Sequence, residues 1–281
     1  MLGYELSSVK ERFLLAGLGS ASLDAELIFS FVLKIVRSKI YAFPERVMSS
    51  EEMASISELS RRREKHEPMA YILGEKEFWS TIFSVDKNVF IPRPETELLV
   101  EISLKHLDEI KSPVIFDIGC GSGAIGISIA QELKNSKVFA SDLSKDATIC
   151  STENASRSLL GNYAVVQTFL MSGFLENNFV NLIVSNPPYI PTHKIRNLDS
   201  EVSNYGPQLA LDGGEDGMFY LSQIIKEAPS YLISQGILLL EIDHSQVESC
   251  VNEINITAKY GVPIIHKDLA GFDRVVEVKK S

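Results

Sequence analysis

Apolar residues recur along this 281-residue chain with two different periods, and the change of period divides it. Residues 1–73 follow the helical interval: Leu23, Leu27, Ile28, Phe31, Val32 and Ile35 fall on one helical face. Ser49 and Glu52 have capping-box spacing, and Met53, Ile56 and Leu59 continue the same helix. Arg61-Arg62-Arg63 ends it, either as a solvated turn that complements the helix dipole or as a contact for a partner. Gly74 and the β-prone stretches Phe78-Trp79 and Ile82-Phe83-Ser84-Val85 predict a hairpin linker over 75–90. From residue 91 onward, strand and helix signals alternate. Strands are expected at Val114–Ile118, Lys137–Ser141, Ala164–Thr168, Asn181–Ser185, Gly236–Ile242, Val262–His266 and Arg274–Val278. Helical patterns between them imply right-handed crossovers and a mostly parallel seven-stranded sheet covered on both faces. The expected organisation is a helical domain over 1–74, the hairpin linker, and an α/β domain over 91–281. At its entrance lies the stiff segment Ile91-Pro92-Arg93-Pro94-Glu95-Thr96-Glu97, where Thr96 is placed to cap a helix built from Leu98, Leu99, Ile102, Leu104 and Leu107. Pro229 should kink or split the helix before Gly236.

Composition narrows the setting. Apolar residues make up 45% and charged residues 23%, as in an ordinary globular protein. No apolar run reaches the roughly 18 residues of a membrane span, and the N-terminus lacks a basic region followed by an apolar one. Cys120, Cys150 and Cys250 are odd in number and widely spaced, which predicts no disulfide framework, no metal site and a reducing cytoplasm. The net charge of −10 is uneven: residues 1–75 carry 10 basic and 11 acidic side chains, residues 76–281 carry 17 and 26. An acidic α/β half repels phosphate backbones, so nucleic acid is not the expected partner.

Asp117-Ile118-Gly119-Cys120-Gly121-Ser122-Gly123-Ala124-Ile125-Gly126 joins the first expected strand of the sheet to a helix. Glycines permit a tight turn and a close ligand approach, and the helix N-terminus offers free N–H groups. About 20 residues on, a strand ends in Asp142, whose carboxylate is placed to accept from ribose hydroxyls. This pattern predicts an adenosine-bearing cofactor. Gly121, Gly123 and Gly126 alone spell the dinucleotide fingerprint, so a nicotinamide-binding oxidoreductase is one reading. The full run is more similar to the D-x-G-x-G-x-G loop of S-adenosylmethionine-dependent methyltransferases, where Asp117 would help fix the loop and the methionine end of the cofactor.

Asn186-Pro187-Pro188-Tyr189 follows the apolar run Asn181–Ser185. An amide, two residues without a backbone donor, and an aromatic ring at a strand end suit a planar amide or amine. The Asn186 side-chain oxygen and the Pro187 carbonyl can receive its two N–H groups, and the ring can lie against its face. In a doubly wound sheet this tetrapeptide and the glycine loop converge at one crevice. A methyl donor beside an amide grip implies methyl transfer to nitrogen, driven by positioning and electrostatics.

Together these motifs resemble the amino-group methyltransferases, which act on DNA, RNA or protein. Further segments resemble the protein-(glutamine-N5) methyltransferases of the HemK/PrmC type: Arg61-Arg62-Arg63, Glu67-Pro68, Tyr71-Ile72-Leu73-Gly74, Glu77-Phe78-Trp79, Ile91–Glu97, Leu209–Gly217 and Asp268–Arg274. The resemblance spans nearly the whole chain. It implies a Rossmann-like class I methyltransferase fold and methylation of the glutamine in the Gly-Gly-Gln motif of peptide chain release factors. It further implies that Asp117, Gly119, Cys120, Gly121, Ser122, Gly123, Asp142, Met171 and Asn186 bind S-adenosylmethionine, with S-adenosylhomocysteine as product. Asn186, Pro187, Pro188 and Tyr189, with Phe90 as a wall, would hold the glutamine, and Asn186, Pro187 and Tyr189 would carry the catalysis. The helical domain would help dock the release factor, with the enzyme acting as a monomer. Two departures stand out: Leu170-Met171 where relatives have an acidic residue followed by an aromatic or similar one, and Gly206-Pro207 where relatives carry Glu-Pro, with Glu201 a few residues earlier. His193, Arg93, Glu241 and Asp243 are chemically capable neighbours for which the expected mechanism needs no acid or base. Trp79 is expected to clamp the two domains.

Overall fold

The computed structural model describes residues Met1–Ser281. In chain order the elements are α1 (Leu2–Leu15), α2 (Ala21–Leu33), α3 (Arg37–Ala42), α4 (Ser50–Glu64), α5 (Met69–Leu73), β1 (Glu75–Phe78), β2 (Thr81–Ser84), α6 (Glu97–Leu107), β3 (Val114–Ile118) and α7 (Ala124–Glu132). They continue with β4 (Lys137–Asp142), α8 (Lys145–Arg157), β5 (Tyr163–Gln167), β6 (Val180–Ser185), α9 (Ser200–Tyr205), α10 (Phe219–Glu227), β7 (Leu232–Glu241), α11 (Val247–Thr257), β8 (Ile264–Lys267) and β9 (Asp273–Lys279). The chain forms two compact units. One comprises Met1–Glu75 with Asp199–Tyr205, the other Lys76–Leu198 with Gly206–Ser281.

The first unit is a helical cluster around Leu6, Phe13, Ile28 and Phe29. The capping box at Ser49 and Glu52 opens α4 as its spacing predicts. The buried face of α2 differs from expectation: Ala21, Asp24, Ala25, Ile28 and Phe29 are inside, while Leu23 and Phe31 are exposed. This helix is apolar on nearly every side, so periodicity alone does not select its inner face. Asp24 selects it, because its carboxylate accepts from Arg63 Nε at 2.8 Å with both side chains buried. Arg63 also pairs with Glu201 on α9 at 2.8 Å and donates to the Glu67 carbonyl. The arginine run is therefore not a uniformly solvated turn. Arg61 pairs with Glu58 on the surface, Arg62 with Glu67, and Arg63 lies inside the unit.

The second unit is a seven-stranded sheet in the order β5-β4-β3-β6-β7-β9-β8. All neighbours pair in parallel except those of β9, which runs antiparallel to β7 and β8. Strands buried on both faces should read as unbroken apolar runs. In β7, Ile237 and Leu239 enter one core with α6 and α7, while Leu238 and Leu240 enter the other with α10 and α11. Pro229 ends α10 by opening a 3-10 turn at Ala228–Ser230. The hairpin β1–β2 turns on Trp79 and Ser80, both at positive φ as a two-residue type I′ turn requires. Phe78 and Phe83 enter the sheet core, and the Trp79 indole N–H donates to Glu132 at 2.9 Å. The hairpin is thus built into the α/β unit.

Removing the Arg63 guanidinium would leave Asp24 buried without its counter-charge. Arg63→Ala is expected to cost about 3–5 kcal/mol of stability, read as a lower denaturant midpoint for loss of helical signal. A midpoint equal to that of the unsubstituted chain would show that Asp24 does not depend on this partner.

Candidate active site

The strand order reverses between β3 and β6, the position at which open α/β sheets bind ligands. Ile118 and Ser185 are in register at the ends of these two strands, and the Ser185 hydroxyl donates to the Ile118 carbonyl at 2.6 Å. The glycine loop leaves the sheet from one and the Asn186 tetrapeptide from the other. Both line a single cavity, as do Phe90, Thr96 and Asp142.

The glycine loop is held from several sides. Gly119, Gly121 and Gly123 all take positive φ, which only glycine adopts cheaply. The N–H groups of Gly119 and Cys120 both donate to the Ser141 carbonyl, at 2.8 and 2.9 Å. Asp142 accepts from Gly121 N with one oxygen (2.9 Å) and from Ser144 N with the other (2.8 Å). Each oxygen keeps a further lone pair. Asn154, which sequence reasoning missed, braces the loop from behind: its Nδ2 donates to the carbonyls of Ser122 (3.0 Å) and Ser84 (3.1 Å), and its Oδ1 accepts from Ser84 N. No local sequence signal marks an asparagine in the last turn of α8 for this task.

Several expected cofactor residues stand at different depths. Gly119, Cys120, Gly121, Ser122 and Asp142 are on the cavity wall, whereas Asp117, Gly123 and Met171 are not. Asp117 is fully buried behind the loop, where its Oδ2 accepts from Gly126 N at 2.9 Å and its Oδ1 has no partner. Burial pushes its carboxyl up to about 7. Gly123 is a packing glycine: a Cβ there would lie 2.6 Å from Ser151 Oγ and 2.7 Å from Ile127 Cδ1. Met171 sits in the sheet core, and its carbonyl accepts from the Tyr231 hydroxyl. The wall at that point is made by Phe169 and Leu170 instead, with Leu143 and Tyr220 nearby. Leu170, which takes positive φ, therefore stands on the wall where the resemblance implied Met171. Burial raises the Cys120 thiol well above its ordinary range, which disfavours the thiolate.

On the other side, Asn186 Nδ2 donates to the Thr96 hydroxyl at 3.1 Å. Thr96 is buried, has helical backbone and makes no side-chain cap. This corrects the expected helix cap: its hydroxyl serves the tetrapeptide instead. Asn186 Oδ1 and the Pro187 carbonyl accept no hydrogen bond within the protein, and both residues line the cavity. The Tyr189 hydroxyl reaches Glu241 Oε1 at 3.4 Å, and its carbonyl accepts from Gln246 Nε2 at 2.9 Å. The segment Leu209–Gly217 forms the cradle beneath. A Cβ on Gly213 would come within 2.8 Å of the Pro188 carbonyl and the Tyr189 backbone, and one on Gly217 within 2.3 Å of the Tyr189 carbonyl. The Arg93 guanidinium lies 5.4 Å from the centre of the Phe90 ring, on the cavity wall. His193 is exposed on a 3-10 turn and off that wall.

Gly119 and Gly126 separate two ways of damaging the loop. A methyl on Gly126 would meet Asp117 Oδ2 at 2.7 Å, so Gly126→Ala should lower the melting temperature, at about 1–3 kcal/mol. A methyl on Gly119 meets only open space beside the cavity, with backbone strain of about 1–2 kcal/mol. Gly119→Ala should therefore weaken S-adenosylmethionine binding at least tenfold by calorimetry while the fold persists. Equal affinities for Gly119→Ala and the parent would remove Gly119 from the ligand's path.

Residues 6–74 match the family described as the PrmC N-terminal domain, and residues 85–204 match the methyltransferase small domain. The chain is 39% identical over 267 residues to a release factor glutamine methyltransferase of Fusobacterium nucleatum, covering 94% of this chain and 75% of that one. It is 34% identical to one of Caulobacter vibrioides (96% and 93% covered) and 36% identical to one of Thermodesulfovibrio yellowstonii (92% and 92%). Among solved structures, the hMettl16 catalytic domain in complex with MAT2A 3'UTR hairpin 6 superposes with a TM-score of 0.59 at 12% identity, covering 90% of this chain and 92% of that chain, a likeness of fold. With a Rossmann-like methyltransferase fold, a glycine loop and the Asn186 tetrapeptide meeting at the switch point, and relatives matched over three quarters or more of their length, the chain belongs to the release factor glutamine methyltransferase family.

Proposed function

We propose that this protein is an S-adenosylmethionine-dependent methyltransferase that modifies the side-chain amide nitrogen of the glutamine in the Gly-Gly-Gln motif of peptide chain release factors. The observation that carries the site assignment is the pair of free acceptors, Asn186 Oδ1 and the Pro187 carbonyl, on the wall shared with the glycine loop. A primary amide has two N–H donors in one plane, and two acceptors hold it without ambiguity. Its nitrogen is a poor nucleophile because the lone pair is delocalised into the carbonyl. Acceptors displaced from the amide plane favour a pyramidal nitrogen with a localised lone pair, so orientation and activation come from the same contacts. Bound S-adenosylmethionine supplies the electrophilic methyl group.

Gly119, Cys120, Gly121 and Ser122 form the turn against which the cofactor lies, and Asp142 takes its ribose hydroxyls. Asp117 and Gly123 act one layer further out, by holding the loop. Tyr189, Pro188 and Phe90 flank the amide. The helical unit helps dock the release factor. The acidic balance of residues 76–281 favours a protein substrate over nucleic acid. We take the enzyme to be cytoplasmic, where its three cysteines stay unpaired, and monomeric.

Purified release factor incubated with labelled S-adenosylmethionine and this protein should acquire label at the Gly-Gly-Gln glutamine, and a factor with that glutamine substituted should not. Equal labelling of both would refute the substrate assignment. Asn186→Ala should reduce kcat about 100- to 1,000-fold and change cofactor affinity by no more than a few-fold. Undiminished turnover would take Asn186 out of the mechanism.

A further inference from the structure

The prolines of the tetrapeptide leave it short of anchors. Pro187 and Pro188 have no N–H to donate, so the segment cannot be secured as a strand is. Of the backbone groups of residues 186–189, the Tyr189 carbonyl alone takes part in a hydrogen bond, and its donor is the Gln246 side chain at 2.9 Å. Beyond it, Ile190 exchanges backbone hydrogen bonds with Leu211 and Gly213 of the glycine cradle. Tetrapeptide and cradle are thus joined to each other, and the pair needs a fixed point in the body of the domain.

Gln246 supplies one. It ends the 3-10 turn that follows β7 and is 5% exposed. Its Oε1 accepts from the Asp243 N–H at 3.1 Å, a backbone donor that fixes which way round the amide lies. Nε2 then has a backbone acceptor for each of its protons: the Tyr189 carbonyl, and the Gly217 carbonyl at 3.1 Å. One side chain therefore ties the tetrapeptide and the far end of the cradle to the turn. That turn continues β7, whose Leu240 stands in register with Ser185 of β6. Both ends of the tetrapeptide are in this way referred to one sheet, the first through Ser185 and the last through Gln246. Between them each proline holds φ at about −65°, which leaves the Pro187 carbonyl little freedom.

A capping role accounts for only part of this. Asp243 and Gln246 form a capping box, and such a box takes Glu at that position as well as Gln. A carboxylate would serve the Asp243 N–H equally, but it could not donate to two carbonyls. Only the amide does both. We propose that Gln246 is a positioning residue for methyl transfer, setting where the Pro187 carbonyl stands relative to Asn186 Oδ1, a role that rests on the reading of those two acceptors given above. Gln246 is not on the cavity wall, so it acts through the tetrapeptide without touching substrate or cofactor.

The test measures single-turnover methylation of purified release factor by the full-length enzyme, with release factor and S-adenosylmethionine saturating. Cofactor affinity and melting temperature are recorded for each variant. Gln246→Glu keeps the shape and the acceptor for Asp243 N–H and removes both donors. Gln246→Met keeps the length and removes all three hydrogen bonds. Both should transfer methyl at least about tenfold more slowly than the parent, with cofactor affinity within about threefold of it. If Gln246 served the turn alone, Gln246→Glu would match the parent and only Gln246→Met would suffer. Either variant less than about tenfold slower, or one whose cofactor affinity falls in step with its rate, would overturn the proposal. If Gln246→Met does not fold, Gln246→Glu decides alone; if neither folds, the residue is a support of the fold and the proposal fails. Failure of the underlying reading looks different: the parent enzyme itself would bind cofactor and leave the glutamine unlabelled.

Discussion

Two parallel strands that end at the same level hold this site together. Ile118 of β3 and Ser185 of β6 stand opposite each other, and a hydroxyl-to-carbonyl hydrogen bond fixes them. Every group proposed to act on cofactor or substrate is placed relative to that pair. The glycine loop starts one residue beyond Ile118 and the Asn186 tetrapeptide one residue beyond Ser185. A slip in this register would carry donor and acceptor apart, and no adjustment of the loops could bring them back. The unbroken apolar strands, buried on both faces, are what forbid the slip. Methyl transfer between two loops needs a reproducible distance, and a packed sheet supplies one.

Much of this was legible in the sequence because it rests on local rules. The glycines at 119, 121 and 123 require positive φ, the capping box at Ser49 requires its Glu52, and strands buried twice over must be apolar throughout. Each of those signals lies within a few residues of the feature it predicts. The tetrapeptide was legible for another reason: prolines after a buried strand have no purpose in a ladder, so their presence marks a function.

The parts that were not legible all depend on residues distant in the chain. Thr96 has the composition and position of a helix cap, and only its placement beside Asn186, 90 residues away, shows where its hydroxyl goes. Asn154 is an ordinary helix residue until Ser122 and Ser84 are brought to it. Arg63 belongs to a run of three similar cations, and the Asp24 that draws it inward is 39 residues earlier. Met171 lies in the sheet core and Leu170 on the cavity wall, a difference of one position that no periodicity records. The Leu209–Gly217 segment resembled its relatives without a reason; the reason is steric, because its glycines leave room for the Pro188 and Tyr189 backbone.

The bracing of the glycine loop has a thermodynamic consequence. Its conformation is secured by bonds internal to the protein: Ser141 and Asp142 on one strand, Asp117 on another, Asn154 on a helix. Ordering a loop of this length from a mobile state would cost about 1–2 kcal/mol per residue. Here that entropy is lost once, during folding, and is not charged again at each catalytic cycle. On the proposed reading, cofactor and demethylated product meet the same braced surface. Exchange of one for the other is then governed by the ligands' own contacts, and turnover needs no refolding of the loop between rounds.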